Sequence, residues 1–196
     1  ISYQRLKKKL FIFKTLLMNI VNKIINNFKT NNKLYIGEKV TMSEHMIQTA
    51  MLAEENNSSK SLICSCLLHD YGHFIVDDPD LLISKALDGQ HENLGFDFLK
   101  NYFVPEVTEP IKLHVLAKRY LCRNKSYYNL LSEASKISLE LQGGIMNDDE
   151  AKKFSSLKFY NDAIKVRKYD DDGKIPNVEI KNIEDYRDLI SSQLIN

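Results

Sequence analysis

Residues Leu62–Phe74 read LICSCLLHDYGHF, and the reading of this stretch decides the fold. Leu62, Ile63, Cys66 and Leu67 recur at helical spacing, forming an apolar stripe that a helix must bury. Ser58 or Ser59 stands ahead of it as an N-cap, and Gly72 marks its end. The stripe therefore delivers His69 and Asp70, with His73 just beyond, to the end of a core-facing helix. An imidazole offers one nitrogen to a metal, and a carboxylate can bridge two cations through its two oxygens. A His-Asp pair alone is common by chance, so its weight depends on what surrounds it.

Outward from this stretch the periodicity stays helical. Thr41 with Glu44 three residues on forms a capping box, and Met46, Ala50 and Ala53 continue an apolar face. Helices are predicted over about His91–Tyr102, from a first turn at Pro110 to about Cys122, and over roughly Leu130–Leu141 up to the break at Gly143–Gly144. A long helix is predicted from Asp148 through Phe154, Leu157, Ala163 and Ile164 to near Asp170, and Asn182 caps a terminal one. No segment alternates like a strand, so the expected class is all-α.

The five histidines, His45, His69, His73, His91 and His114, fall in four of these helices or at their ends. A single histidine on an apolar face is most often a satisfied core residue. Here the order H…HDxxH…H…H, followed by a late aspartate, uses every histidine in the chain, and unrelated core residues would have no reason to fall that way. Two cations share the pattern: Lys118 lies one turn after His114, and Arg167 three residues before Asp170. Either alone reads as ordinary surface charge. Together, one turn from candidate ligands on two helices, they suit a dianionic group beside a metal.

Bulk properties set the limits. A chain of 196 residues fits one domain, and its 43% hydrophobic and 27% charged content is that of a soluble globular protein. A formal net charge of +1 leaves no broad basic field for nucleic acid or an anionic membrane. Three cysteines, two of them (Cys64 and Cys66) in an apolar run, indicate a reduced, cytoplasmic protein rather than a disulfide framework. At the N-terminus, LKKKLFIFKTLL (residues 6–17) begins like a signal sequence, but Lys14 interrupts it and no small-residue cleavage site follows. It is also far shorter than the ~20 apolar residues of a membrane span. Residues 1–17 read as a leader or cloning remnant outside the core, with Met18 as a start and residues 18–196 as a single domain.

The ordered His/Asp set resembles the HD superfamily, in which an all-α bundle aims such residues at a metal centre. The stretches YIGEKVTMSEHMIQTAMLAE (35–54), LLHDYGHF (67–74), HVLAKRYLC (114–122), LSEASKISLELQGGIM (131–146) and RKYDDDGKIP (167–176) narrow this. They resemble the mixed-valent di-iron oxygenases that degrade organophosphonates, in particular the glycine-forming 2-amino-1-hydroxyethylphosphonate dioxygenases and their trimethylammonio-substrate relatives. The resemblance covers about residues 33–177.

It implies an HD-domain helical bundle with a buried dinuclear site of two iron ions, Fe(II)/Fe(III), and O2 as co-substrate. One iron would be held by His45, His69, Asp70 and Asp170, and the other by bridging Asp70 with His91 and His114. Asp171 remains an alternative to Asp170, although Asp171 and Asp172 read better as a solvated helix end. Tyr35, an ordinary packing residue on spacing alone, would occupy the open iron position until substrate displaces it, with Glu38 in the same loop. His73, Lys118, Arg167 and Ser135 would contact the phosphonate, Ser132 and Ser138 being near neighbours of the last. The reaction implied is oxygen-dependent C–P cleavage of a small 1-hydroxyphosphonate to a carboxylic acid (glycine or glycine betaine) and inorganic phosphate. The substituent could be a free amine, a trimethylated amine or hydrogen. The competing expectation is an HD-type metal-dependent phosphohydrolase acting on a nucleotide or other phosphate ester, which would need neither the Tyr35/Glu38 loop nor the Lys118 and Arg167 pair.

Overall fold

The computed structural model describes residues 19–35, 37–75 and 90–195, so the reading of residues 1–17 as a leader lies outside the described part. Its elements are α1 (residues 19–30), α2 (Met42–Glu55), α3 (Lys60–Leu68), a 3₁₀ turn (Tyr71–Phe74), α4 (His91–Leu99), α5 (Pro105–Leu121) and α6 (Lys125–Leu130). They continue with α7 (Glu133–Leu141), α8 (Asp148–Ser155), α9 (Tyr160–Asp172), a second 3₁₀ turn (Ile183–Tyr186) and α10 (Arg187–Ser192). Among the described residues β pairing is limited to two isolated bridges, Leu34–Thr41 and Phe103–Leu194, so the class is all-α as expected. No helix among them is long and apolar enough to cross a membrane.

Helix α5 runs through the middle, packed against α3, α4 and α9, while α2 lies on α3 and α9. The main core collects one apolar face from each: Ile20, Ile24 and Phe28 at four-residue spacing on α1, Met46 and Ala50 on α2, Leu67 on α3, Ile111 on α5 and Val166 on α9. Thr41 forms the predicted capping box with Glu44, and Ser59, rather than Ser58, caps α3.

The element boundaries differ from the periodicity in five places. Helix α5 starts at Pro105, so Pro110 falls inside it. Proline removes the donor that would have reached the carbonyl four residues back. The Ser65 hydroxyl of α3 lies 3.4 Å from that Glu106 carbonyl and donates at 2.9 Å to that of Val107. The expected Leu130–Leu141 helix begins at Glu133, because Leu131 turns extended and Ser132 caps α7 through the Ser135 amide; the short α6 before it was not expected. The expected Asp148–Asp170 helix is two: the Ser155 and Ser156 hydroxyls donate back to Lys152 and Lys153 carbonyls and end α8. Helix α4 stops at Leu99, short of Tyr102, and α3 ends at Leu68. Gly72 therefore does not terminate α3. A Cβ there would lie 1.9 Å from the His91 carbonyl oxygen, so the glycine lets the turn after His69-Asp70 press against the start of α4.

Candidate metal centre

Three histidines of the cluster are aimed by backbone. His45, one turn into α2, donates from Nδ1 to the Gly173 carbonyl at 2.9 Å. That carbonyl is close because Gly173 has no side chain: a Cβ would meet the Thr49 hydroxyl of α2 at 2.6 Å. His69 donates from Nδ1 to the Cys66 carbonyl at 2.8 Å, and His114 to that of Ile111 at 2.7 Å. A carbonyl only accepts, so in all three neutral rings the proton sits on Nδ1 and Nε2 presents a lone pair. His45 Nε2 and His69 Nε2 stand 3.1 Å apart, as do His91 Nε2 and His114 Nε2.

Asp70 lies between the two pairs. Its Oδ2 is 3.6 Å from His45 Nε2 and 3.4 Å from His69 Nε2; its Oδ1 is 3.2 Å from His91 Nε2 and 3.5 Å from His114 Nε2. Asp170 Oδ1 completes the first group, 3.3 Å from His45 Nε2. Asp70 Oδ2 and Asp170 Oδ1 are buried without a hydrogen-bond partner. Lone pairs facing each other beside orphaned carboxylate oxygens are costly unless a cation sits among them. The donor set fits such a cation: mixed imidazole and carboxylate with no thiolate, the chemistry of iron, manganese or zinc rather than of a soft-metal site. His45, His69 and Asp70 bring one potential ligand atom each within 4.8 Å of one another, and so do Asp70, His73 and His91. His73 stacks on His91, with centroids 4.3 Å apart, and thus sits at the edge of the second group.

The electrostatics agree. Burial pushes the Asp70 carboxyl upward, but His69, His91 and the other imidazoles outweigh it and hold it well below the usual carboxylate range. Asp170 is likewise depressed against its burial, chiefly by Arg167 and Lys174. Burial works against a charge on His45, yet Asp170 and Asp70 raise its pKa to about 9, so a cluster without metal recruits a proton instead. His91, penalised by burial and by neighbouring His73, is lowered to about 3.

A cavity of about 390 Å³ opens onto this cluster. Tyr35, Glu38, His73, Lys118, Ser135 and Arg167, the non-ligand residues singled out in the sequence, all line it. A turn tied down by Tyr35 N donating to the Val40 carbonyl (2.8 Å) and Met42 N to that of Lys33 (3.1 Å) carries Tyr35, whose ring stacks on His45 at 4.5 Å. Burial, then Asp70 and Asp170, raise the Tyr35 phenol well above its ordinary value. Lys118 is 3% exposed, donates to the Ser138 hydroxyl at 2.8 Å, and is lowered to about 7 by burial and by Arg167. Arg167, also 3% exposed, donates to Asp170 Oδ2 at 2.7 Å.

Of the run of aspartates, Asp170 faces His45, whereas Asp171 pairs with Arg167 and Tyr127. The expectation of a solvated helix end holds for exposed Asp172 but not for half-buried Asp171. Two neighbours of the site were assigned no role from the sequence. Lys174 Nζ lies 3.4 Å from Asp170 Oδ1 and from the Ser135 hydroxyl, and its position four residues after Asp170 repeats the spacing that singled out Lys118. Tyr127 carried no signal, because its contact is a side-chain hydroxyl reaching from α6 to Arg167 and Asp171, about forty residues on.

Comparison with known proteins places this geometry. The HD domain model matches residues 42–149, which include every histidine of the cluster and Asp70. The chain is 39% identical over 176 residues to the hydroxymethylphosphonate dioxygenase of Gimesia maris, covering 89% of this chain and 88% of that one. It is 40% identical over 163 residues to the [1-hydroxy-2-(trimethylamino)ethyl]phosphonate dioxygenase (glycine-betaine-forming) of Leisingera caerulea, 82% and 83% of the two chains. An uncharacterized protein of Acanthamoeba polyphaga mimivirus is 37% identical over 178 residues, 89% of this chain and 81% of that one. With all five histidines and Asp70 inside the matched domain and two such relatives along most of its length, the chain belongs to the HD-domain family of phosphonate dioxygenases.

Proposed function

We propose that the protein is a di-iron oxygenase that cleaves the C–P bond of a small 1-hydroxyphosphonate with O2, yielding a carboxylic acid and inorganic phosphate. One observation carries this: the Asp70 carboxylate spans two imidazole pairs, and the cavity on which they open also holds the buried cations Lys118 and Arg167. His45, His69, Asp70 and Asp170 would hold one iron, and Asp70, His91 and His114 the other. When bound, the mixed-valent pair supplies oxygen activation and a Lewis-acid seat for the substrate hydroxyl. The reaction balances with one O2 per substrate: the C–P bond is lost, the carbon becomes a carboxyl group, and phosphorus leaves as phosphate.

The chain's own residues bind, orient and shield. Lys118, Arg167, His73 and the Ser135 hydroxyl hold the phosphonate, so the hydroxylated carbon points at the histidine cluster. Tyr35 would guard the open side of the cluster until substrate displaces it, and Glu38 would flank the substituent on the substrate carbon. The buried free thiols suit the cytoplasm, and a net charge of +1 offers no broad basic field for nucleic acid or membrane.

The test is phosphate release from a panel of 1-hydroxyphosphonates and phosphate monoesters by iron-loaded protein, with and without oxygen. Release from a hydroxyphosphonate only when oxygen is present is the expected result, and the best substrate identifies the substituent. Oxygen-independent release from a phosphate ester would return the site to hydrolysis.

A further inference from the structure

Arg167 has five N–H donors, and three of its nitrogens are already engaged by the protein. Nη1 donates to Asp170 Oδ2 at 2.7 Å, Nη2 donates to Asp171 Oδ1, and Nε donates to the Tyr127 hydroxyl at 3.3 Å. The Tyr127 hydroxyl in turn donates to Asp171 Oδ2, so one carboxylate grips both the guanidinium and the phenol. This leaves one N–H on each terminal nitrogen of a planar fork, the pair a phosphonate can accept in bidentate fashion. Without Asp171, the guanidinium would keep only Asp170 as an anionic partner. Asp170 is the carboxylate whose other oxygen faces His45, and the two demands on it would compete.

We infer that Asp171 and Tyr127 are positioning residues that fix the plane of Arg167, so that its two remaining N–H groups meet the substrate's phosphonate while Asp170 stays available to the metal cluster. The inference rests on the oxygenase reading for the identity of the substrate, but not for the geometry. The arrangement is asymmetric by construction. Asp171 is half-buried and takes the outer share of the Arg167 charge, whereas Asp170 is 1% exposed and takes the inner share. Tyr127 reaches the pair from α6, a short helix contributing no other polar contact to Arg167 among the described residues.

The test uses the iron-loaded protein and methylphosphonate, a dianion with no hydroxyl to oxidise, whose binding is followed by calorimetry. Tyr127→Phe removes one hydroxyl and keeps all charges; it is expected to weaken methylphosphonate binding about fivefold, and Asp171→Asn about tenfold, with iron per chain unchanged. For the hydroxyphosphonate that the protein turns over, KM rises by similar factors while kcat stays within about twofold. In an Arg167→Lys background, where no fork remains to be oriented, either substitution changes binding by less than about twofold. Equal factors in both backgrounds would overturn the inference, as would normal binding by the single variants. Iron loss in Asp171→Asn would make Asp171 a metal ligand and overturn it too. Should Arg167→Lys fail to fold, the Tyr127→Phe result decides alone. Because methylphosphonate binding needs no turnover, a normal binding cycle without oxygen-dependent phosphate release rejects the oxygenase reading and leaves this one standing.

Discussion

The histidine side of the cavity is set into the main core, where His45, His69, Asp70 and His114 are at most 2% exposed and three of the imidazoles are pinned by backbone carbonyls. The α7 wall of the same cavity rests on a small separate cluster, Cys122, Leu131 and Leu139, and leaves Ile137 64% exposed. Its ties to the rest are side-chain hydrogen bonds, Lys118 to Ser138 and Lys174 to Ser135. A metal ligand must hold its geometry to a few tenths of an ångström, and only a close-packed core provides that. A wall facing a variable substrate needs to fit a shape, and few apolar contacts suffice. The cavity thus joins a part that fixes the chemistry to a part that is free to select.

The strongest attack on this division is Asp70→Ala. Removing the carboxylate that spans both imidazole pairs is expected to remove bound iron and turnover together, measured as iron per chain and phosphate release. Full iron content with lost activity would mean that Asp70 does not bridge. Next comes Gly72→Ala, which touches no candidate ligand side chain. The new Cβ would fall 1.9 Å from the His91 carbonyl oxygen, so α4 must move away. A loss of about 3 kcal/mol is expected, seen as a Tm lower by roughly 6–12 °C, along with weaker occupancy of the His91/His114 side. A fully stable variant with normal iron would show that the close approach of turn and helix is dispensable.

A third prediction probes the seam through pH. Lys118 has a pKa lowered to about 7, so in the empty cavity its charge is complete below that pH and lost above it. A dianion binds the charged form, so KM is lowest below about pH 7 and rises as the pH climbs, by at most about tenfold per unit. Lys118→Arg keeps its charge throughout and is expected to flatten that rise. The ligand's own titration is common to both proteins and cancels in the comparison. Parallel pH profiles for the two would remove Lys118 from the anion site.

The same division explains what could be read in advance. The all-α class and the cluster were legible because each relies on short-range regularities: an apolar stripe ending at His69-Asp70, a capping box at Thr41–Glu44, and one-turn spacings from His114 to Lys118 and Arg167 to Asp170. What was missed depends on where elements meet. Gly72 reads as a helix stop until the His91 carbonyl is seen beside it, and Asp171 reads as solvated until Tyr127 arrives from α6. The split at Ser155–Ser156 interrupts a periodicity that runs straight through it, because hydroxyls that can end a helix can also sit within one.

The smallest predicted effect is the sharpest test of a selecting wall. Ile137 lines the cavity but keeps most of its side chain in solvent, so Ile137→Ser is expected to change stability by no more than about 0.5 kcal/mol. Iron content should not move, since nothing in the cluster touches it among the described contacts. If α7 meets the substituent of the substrate, a bulky trimethylammonio group loses part of one apolar contact, worth about threefold in KM, while hydroxymethylphosphonate, with no substituent to reach the wall, loses nothing. Steady-state kinetics on the two substrates side by side measure the difference. An equal change for both would mean that the wall acts through the phosphonate grip, and a fall in iron would mean that the two sides of the cavity are one unit after all.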